Sequence, residues 1–421
     1  MELNQRLGGK KTSQPNNFDS LRLIFAVLVI LSHSFPLATG LGNADEPLYR
    51  LTHGQITLGN ISVWAFFVIS GFLITQSWQR SPKVGKYLKR RICRIYPGFV
   101  VAALLTAFAV VPIAADPSTY HAVSFRPFIF STLRLLLFDY PRVFVHNPSP
   151  NYLNGSLWSV PYEFWCYLGV MSLGLVGLLR RRWSVVLLFA LVVGLHLYME
   201  ITGWNPSGNI LGQIFGYPPF WATVLPFYLA GTIFHLYGGQ KLLRRLPLIL
   251  AGVALVASNF IPNGLIVTMP VCGAYLLMAL AYWPVLHPLN LGRFGDFSYG
   301  TYLYAFPIQQ LLLMRATGPI SPWLLFAEAA PITVAVGALS WFLVERHFLQ
   351  RSSLLKHEGI ALPEPESKLD ALSSKLDELA APSAPILQPV QCIPAKSLAT
   401  AGQGTRPEAR SEGEAYAAIK S

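Results

Sequence analysis

The sequence predicts an all-α polytopic membrane protein: a bundle of about ten transmembrane helices, followed by a disordered cytoplasmic tail. Three observations support this. Only 12% of the 421 residues are charged, about half the share usual in soluble globular chains. The apolar residues gather in runs long enough to cross a bilayer, and mean hydropathy is +0.44. Every second loop between those runs is basic. No alternating strand pattern appears, so the spanning elements are read as helices rather than a barrel.

The runs fall at 18–37, 56–78, 97–115, 156–179, 183–199, 218–237, 247–261, 265–286, 297–314 and 323–344. The seventh is short for a span. Basic segments precede the first run at Lys10 and Lys11. They follow the second at KVGKYLKRRICR (83–94), the fourth at RRR, the sixth at KLLRR, the eighth at Arg293 and the tenth at HFLQR. This alternation places both termini in the cytoplasm. It also accounts for the net charge of +12 without nucleic acid as a partner. The long outer loop carries RPFIFSTLRLLLF (126–138), read as an interfacial or re-entrant segment. The first run lacks a small-residue cleavage site and so reads as a span, not a removed signal. Domain limits follow: 1–17 is a cytoplasmic segment, 18–348 the membrane domain and 349–421 a polar tail. Within the tail, SKLDALSSKLDELA (367–380) is amphipathic over two heptads, enough for a helix only with a partner. Cys93, Cys166, Cys272 and Cys392 form no CxxC pair. His121 and His146 lack ligand spacing, so no metal site is expected.

Ionisable residues inside apolar runs mark candidate chemistry. Arg22 and His33 are eleven positions apart, about three turns plus ~20°, so both project from one helix face ~16 Å apart. Asp19, three residues before Arg22, shares that stripe. An arginine near a helix end can also snorkel, and pairing with Asp19 would suffice for it. In the second run, Ser70-Gly71 permits close backbone approach. Arg91 and Arg94 point the same way if their segment is helical, and paired guanidiniums grip phosphates. In GSLWSVPYEFWCY, Glu163 follows Pro161 inside an apolar and aromatic run and needs a partner or a wet cavity. FGDFSYGTYLYAFPIQQ brings Asp296, Ser298 and several tyrosines to the ninth run. Glu345 and Arg346, which end the tenth, read as an interfacial anchor.

Taken together, these segments resemble the membrane acyltransferase type 3 family over about residues 18–348. The similar features are the arginine and histidine with ten residues between them (Arg22, His33) and FFVISGFLI (66–74). The RxxR of Arg91 and Arg94 leading into Ile95-Tyr96-Pro97, SLWSVPYEFWCY and SYGTYLYAFPI complete the series. Ser20 stands where the family's first motif commonly has glycine, and the surroundings of Glu163 are less polar than usual. No appended hydrolase-like domain accompanies the membrane unit.

The resemblance implies an integral-membrane O-acyltransferase. It would move an acyl group, commonly acetyl, from acetyl-CoA or another acyl-CoA to a hydroxyl of a carbohydrate acceptor. Surface polysaccharides and lipid-linked or nodulation oligosaccharides are acceptors of this kind. Catalytic roles fall to His33, Arg22, Asp19 and Glu163, and donor binding to Arg91, Arg94, Arg22, Ser70, Gly71 and Tyr96. His33 would act as general base or form an acyl-histidine; Asp19 would orient Arg22, and Glu163 would polarise His33 or position the sugar. Trp158, Tyr162 and Trp165 suit sugar stacking or interior packing. Two other functional classes fit the composition: a transporter or flippase relaying protons through His33 and Glu163, and a scaffold acting through its tail.

Overall fold

The computed structural model describes residues 16–138, 140, 142–206, 215–284 and 291–354. Lys10, Lys11, Cys392 and the leucine-patterned segment 367–380 lie outside the described residues. The architecture is all-helical; the described residues contain one isolated β-bridge, between Ala115 and Val143. Every apolar run read from the sequence coincides with a helix. Among the described residues, seven helices are long and apolar enough to cross a membrane, which makes the chain a multi-pass membrane protein.

Helix α1 spans Phe18–Thr39, and its start is fixed by Asn17. The Asn17 amide donates to the carbonyls of Leu280 and Trp283, at 3.1 and 2.9 Å, in the last turn of a later helix and just past its end. Those are carbonyls that a helix terminus leaves without an intrahelical donor. The helix stops at Gly40, whose φ of +70° is the left-handed conformation that glycine adopts without strain. Ser20, the residue at the family's glycine position, accepts a hydrogen bond from the Leu291 backbone at 3.0 Å.

Helix α2 (Leu58–Arg80) begins with a reciprocal cap. Thr57 Oγ1 accepts from the Asn60 amide, and the Asn60 side chain accepts from the Thr57 amide. The buried Glu46 carboxylate adds bonds from the amides of Leu58 and Tyr49. Helix α3 (Val84–Ala114) incorporates the basic loop of the sequence reading, so Arg90, Arg91 and Arg94 stand on a helix. A π turn at Thr106–Val110 interrupts it near its far end. The connection that follows contains the short α4 (Phe125–Leu133), which leaves Phe125, Phe130 and Leu133 exposed, as suits a segment lying at an interface. This helix ends before residue 138, because Arg134 and Leu135 turn the chain and Leu135 has positive φ.

Helices α5 (Val160–Leu175), α6 (Arg182–Thr202), α7 (Pro218–Leu236), α8 (Arg245–Ser258) and α9 (Gly264–Ala281) follow. Helix α8, the short run, has only 14 residues. Helix α10 spans Ser298–Arg315. Helix α11 (Pro322–Ser340) passes through a π turn at Trp341–Glu345 into Arg346–Leu354.

The tightest crossing joins α2 to α7. A Cβ on Gly71 would lie 2.0 Å from the Tyr228 carbonyl oxygen, and one on Gly231 would lie 2.0 Å from that of Val68. Thr75 and Thr232 share a hydrogen bond at 3.2 Å beside this contact. Between helices in lipid, the hydrophobic effect favours association little. Backbone proximity and interhelical hydrogen bonds therefore hold the pair together.

Candidate active site

A cavity of about 720 Å³ opens at the end of the bundle that carries the basic segments, bounded by α1, α2, α3, α5, α10 and α11. Its α2 wall runs from Arg80 inward to Val63, a depth of ~26 Å at the helical rise. Six basic residues line it: Arg22, Arg80, Lys86, Arg90, Arg91 and Arg94. Three acids do so: Asp19, Glu163 and Asp296.

The basic residues form two groups. Arg80, Lys86 and Arg90 flank the mouth at the α2–α3 turn. Arg91 lies just inside, its guanidinium over the rings of Tyr87 and Tyr167, with Nε buried and unbonded. None of these four makes an ion pair among the described residues. Arg94 stands ten residues into α3 and Ser70 ten residues in from Arg80, so both lie ~15 Å deep. At that level Asp296 bridges two cations, 2.5 Å from Arg94 and 3.6 Å from Arg22. Arg22 also meets Asp19 at 3.3 Å. Ser298 donates to Asp296 at 2.5 Å, and Glu345 lies 4.0 Å behind Arg94.

Glu345 is no interfacial anchor: the π turn at Trp341–Glu345 brings it inward, where it is 1% exposed and accepts from Ser340 at 3.0 Å. Asp296 was visible in the sequence but not counted among the site residues, because an acid declares its cations only when the chain is folded. Lys86 and Arg90 looked like loop charges and line the cavity, and so does Arg80, which the sequence reading did not single out.

Glu163 also lies at the mid-cavity level. It accepts from Ser70 Oγ at 2.7 Å and from the Tyr167 hydroxyl at 2.5 Å. It does not bond His33. Gly71 and Tyr96 lie outside the lining. Gly71 is consumed by the crossing with α7, and Tyr96 packs on Phe164 and donates to the Leu133 carbonyl at 2.9 Å.

His33 sits beyond the inner end of the cavity. Its Nδ1 is 3.2 Å from Ser156 Oγ, and its ring meets Phe306 edge-on. Tyr302 donates to the Ser156 carbonyl and shares a hydrogen bond with Ser159 at 2.7 Å. Ser159 and Tyr302 line the first cavity. A second cavity of about 670 Å³, built from the 136–158 segment, is lined by Gly155 and Leu157, the two neighbours of Ser156. Arg142, Asn151, Tyr152 and Trp158 also line it. Of the three aromatics considered for sugar stacking, Trp158 reaches this cavity. Tyr162 is buried with its hydroxyl on the Tyr217 carbonyl, and Trp165 packs on Phe215. The layer around Ser156 therefore separates two cavities, and His33 is attached to that layer.

A multi-pass helical bundle with an arginine-lined cavity leading toward an intramembrane histidine defines a class of membrane enzyme. The chain belongs to the acyltransferase type 3 family, whose acyltransferase-domain model matches residues 16–345. It is similar to an O-acetyl transferase of Shigella phage Sf6, 28% identical over 353 residues, which cover 80% of this chain and 97% of the relative. It is also similar to nodulation protein 10 of Rhizobium leguminosarum bv. viciae, 28% identical over 368 residues, with 81% and 95% covered. No solved structure matches the chain. As a member of this family the protein is a membrane acyltransferase.

Proposed function

We propose that the protein transfers an acyl group, acetyl as in the name of the phage relative, from acyl-CoA to a carbohydrate hydroxyl. The carrying observation is the pair of cavities that approach Ser156 and His33 from opposite ends of the bundle. The donor enters at the basic end, which the positive-inside rule makes cytoplasmic, together with both termini, in the inner membrane. Unpaired guanidiniums and an ammonium at the mouth suit its phosphates. A depth of ~26 Å suits an extended pantetheine arm reaching inward, judged by extended-chain dimensions. The acceptor, a surface polysaccharide or lipid-linked oligosaccharide, enters the second cavity. There Trp158 and Tyr152 offer apolar faces and Asn151 offers hydrogen bonds.

In this reading His33 is the general base. With Nδ1–H donating to Ser156, Nε2 is left to take the proton of the acceptor hydroxyl as its oxygen attacks the thioester carbonyl. The new C–O bond forms, the C–S bond breaks, and the CoA thiolate leaves with a proton returned to it. Arg22 and Asp19 belong to the mid-cavity charge cluster that shapes the donor's path.

The test is transfer of label from radiolabelled acetyl-CoA to membrane glycan by wild type and His33→Ala at matched folded levels. We expect label with wild type and a loss of about 10²–10⁴-fold in the variant. Full labelling by His33→Ala would remove the histidine from the mechanism. Export of unmodified glycan without any acetyl-CoA consumption would instead favour a transporter.

A further inference from the structure

The charges of the first cavity are segregated by depth. Arg80, Lys86, Arg90 and Arg91 stand toward the mouth with no carboxylate in ion-pair reach among the described residues. At the middle level each cation is already engaged: Arg22 by Asp19 and Asp296, Arg94 by Asp296 and Glu345. Glu163 adds a carboxylate there, accepting two hydroxyl hydrogen bonds and making no ion pair among the described residues. Farther in, Val63, Phe66, Ser159 and Tyr302 supply no charge. A ligand with an anionic head and an uncharged tail fits this gradient in one orientation, head outward.

We propose that this cavity admits donors whose acyl group is uncharged, and that Glu163 is the residue that turns away a dicarboxylic acyl group. The inference rests on the acyl-CoA reading above and refines it. To reach the inner end, the free carboxylate of a succinyl or malonyl thioester must pass Glu163. It finds the two cations of that level, Arg22 and Arg94, already ion-paired, in a site walled by low-dielectric side chains where like charges repel strongly. Acetyl, propionyl and butyryl groups meet no such barrier. Ser70 and Tyr167 hold the Glu163 carboxylate in place, so they act as positioning residues for this selection.

The test is equilibrium binding of free CoA and of acetyl-, butyryl- and succinyl-CoA to the full-length protein in nanodiscs, for wild type and Glu163→Gln. Butyryl matches the carbon count of succinyl without its charge. Wild type is expected to bind succinyl-CoA about tenfold or more weakly than butyryl-CoA, and Glu163→Gln to narrow that gap to about threefold or less through tighter succinyl-CoA binding. Equal binding of butyryl- and succinyl-CoA by wild type would overturn the proposal, and so would a gap that Glu163→Gln leaves unchanged. If butyryl-CoA is rejected as strongly as succinyl-CoA, size rather than charge selects and the proposal also falls. The wild-type comparison decides without the variant, should Glu163→Gln fail to fold. Failure of free CoA itself to bind would sink the acyl-CoA reading, a result distinct from any of these.

Discussion

Asp296 is the keystone of the mid-cavity cluster, and its removal has a calculable consequence. Asp296→Ala leaves Arg22 with Asp19 alone and Arg94 with the more distant Glu345. Two unit charges ~4 Å apart attract by about 4 kcal/mol at an effective dielectric of ~20. Breaking a buried pair by deleting one partner costs about 3–5 kcal/mol, because the remaining ion is stranded. The side chains of Asp296 and Arg94 are 15% and 20% exposed, so some water screens the pair and the lower end applies. We therefore expect Asp296→Ala to lower stability by about 3 kcal/mol. Unfolding in mixed micelles would measure it. The double variant Asp296→Leu/Arg94→Met should recover most of that loss, since an apolar pair needs no charge compensation. A single variant as stable as wild type would refute the reasoning. So would a double variant whose loss is the sum of the two single losses, because the residues would then be uncoupled.

Two further outcomes test the fold. Gly71→Ala must drive α2 and α7 apart, because its Cβ would sit 2.0 Å from a backbone oxygen. A loss of about 2–3 kcal/mol is expected, against little change for Gly169→Ala, whose Cβ meets nothing within 4 Å; equal effects would contradict the crossing. In the connection between α3 and α5, the Ser118 backbone amide, Arg142 and the Ser118 hydroxyl hold the Asp116 carboxyl at about 2, below its usual 3.8. The depressed value means that this clasp is fully present above pH 3.8 and lost as pH falls through about 2. Hydrogen exchange of segment 115–143 should rise over that window in wild type and lose that pH dependence in Asp116→Asn. A wild-type profile flat down to pH 2 would show that the clasp does not hold the loop.

The division between sequence and tertiary structure follows the range of the forces involved. Helix positions were legible because apolar length and backbone satisfaction are local properties: a run such as 183–199 has few ways to enter a bilayer except as a helix. The helical projection of Arg22 and His33 was legible for the same reason, as was the close approach at Gly71. The sequence also carried the motif series that points to the family. It could not say which helix Gly71 packs against, because any small-residue surface can receive it until loops and neighbours choose.

Pairings across the chain were decided only by the fold. Arg94 meets Asp296 across 202 residues, and Ser70 meets Glu163 across 93. A charge in sequence shows that a partner is needed, not which one. The π turn that swings Glu345 inward is a register change of one residue, invisible to hydropathy. The second cavity is formed by an irregular connection that no periodicity describes. The sequence by itself determined a helical membrane acyltransferase with ionisable side chains inside its first helix. Tertiary packing alone settled which charges are neutralised and which remain free to meet a ligand, because long-range electrostatic pairing depends on distance through space and not along the chain.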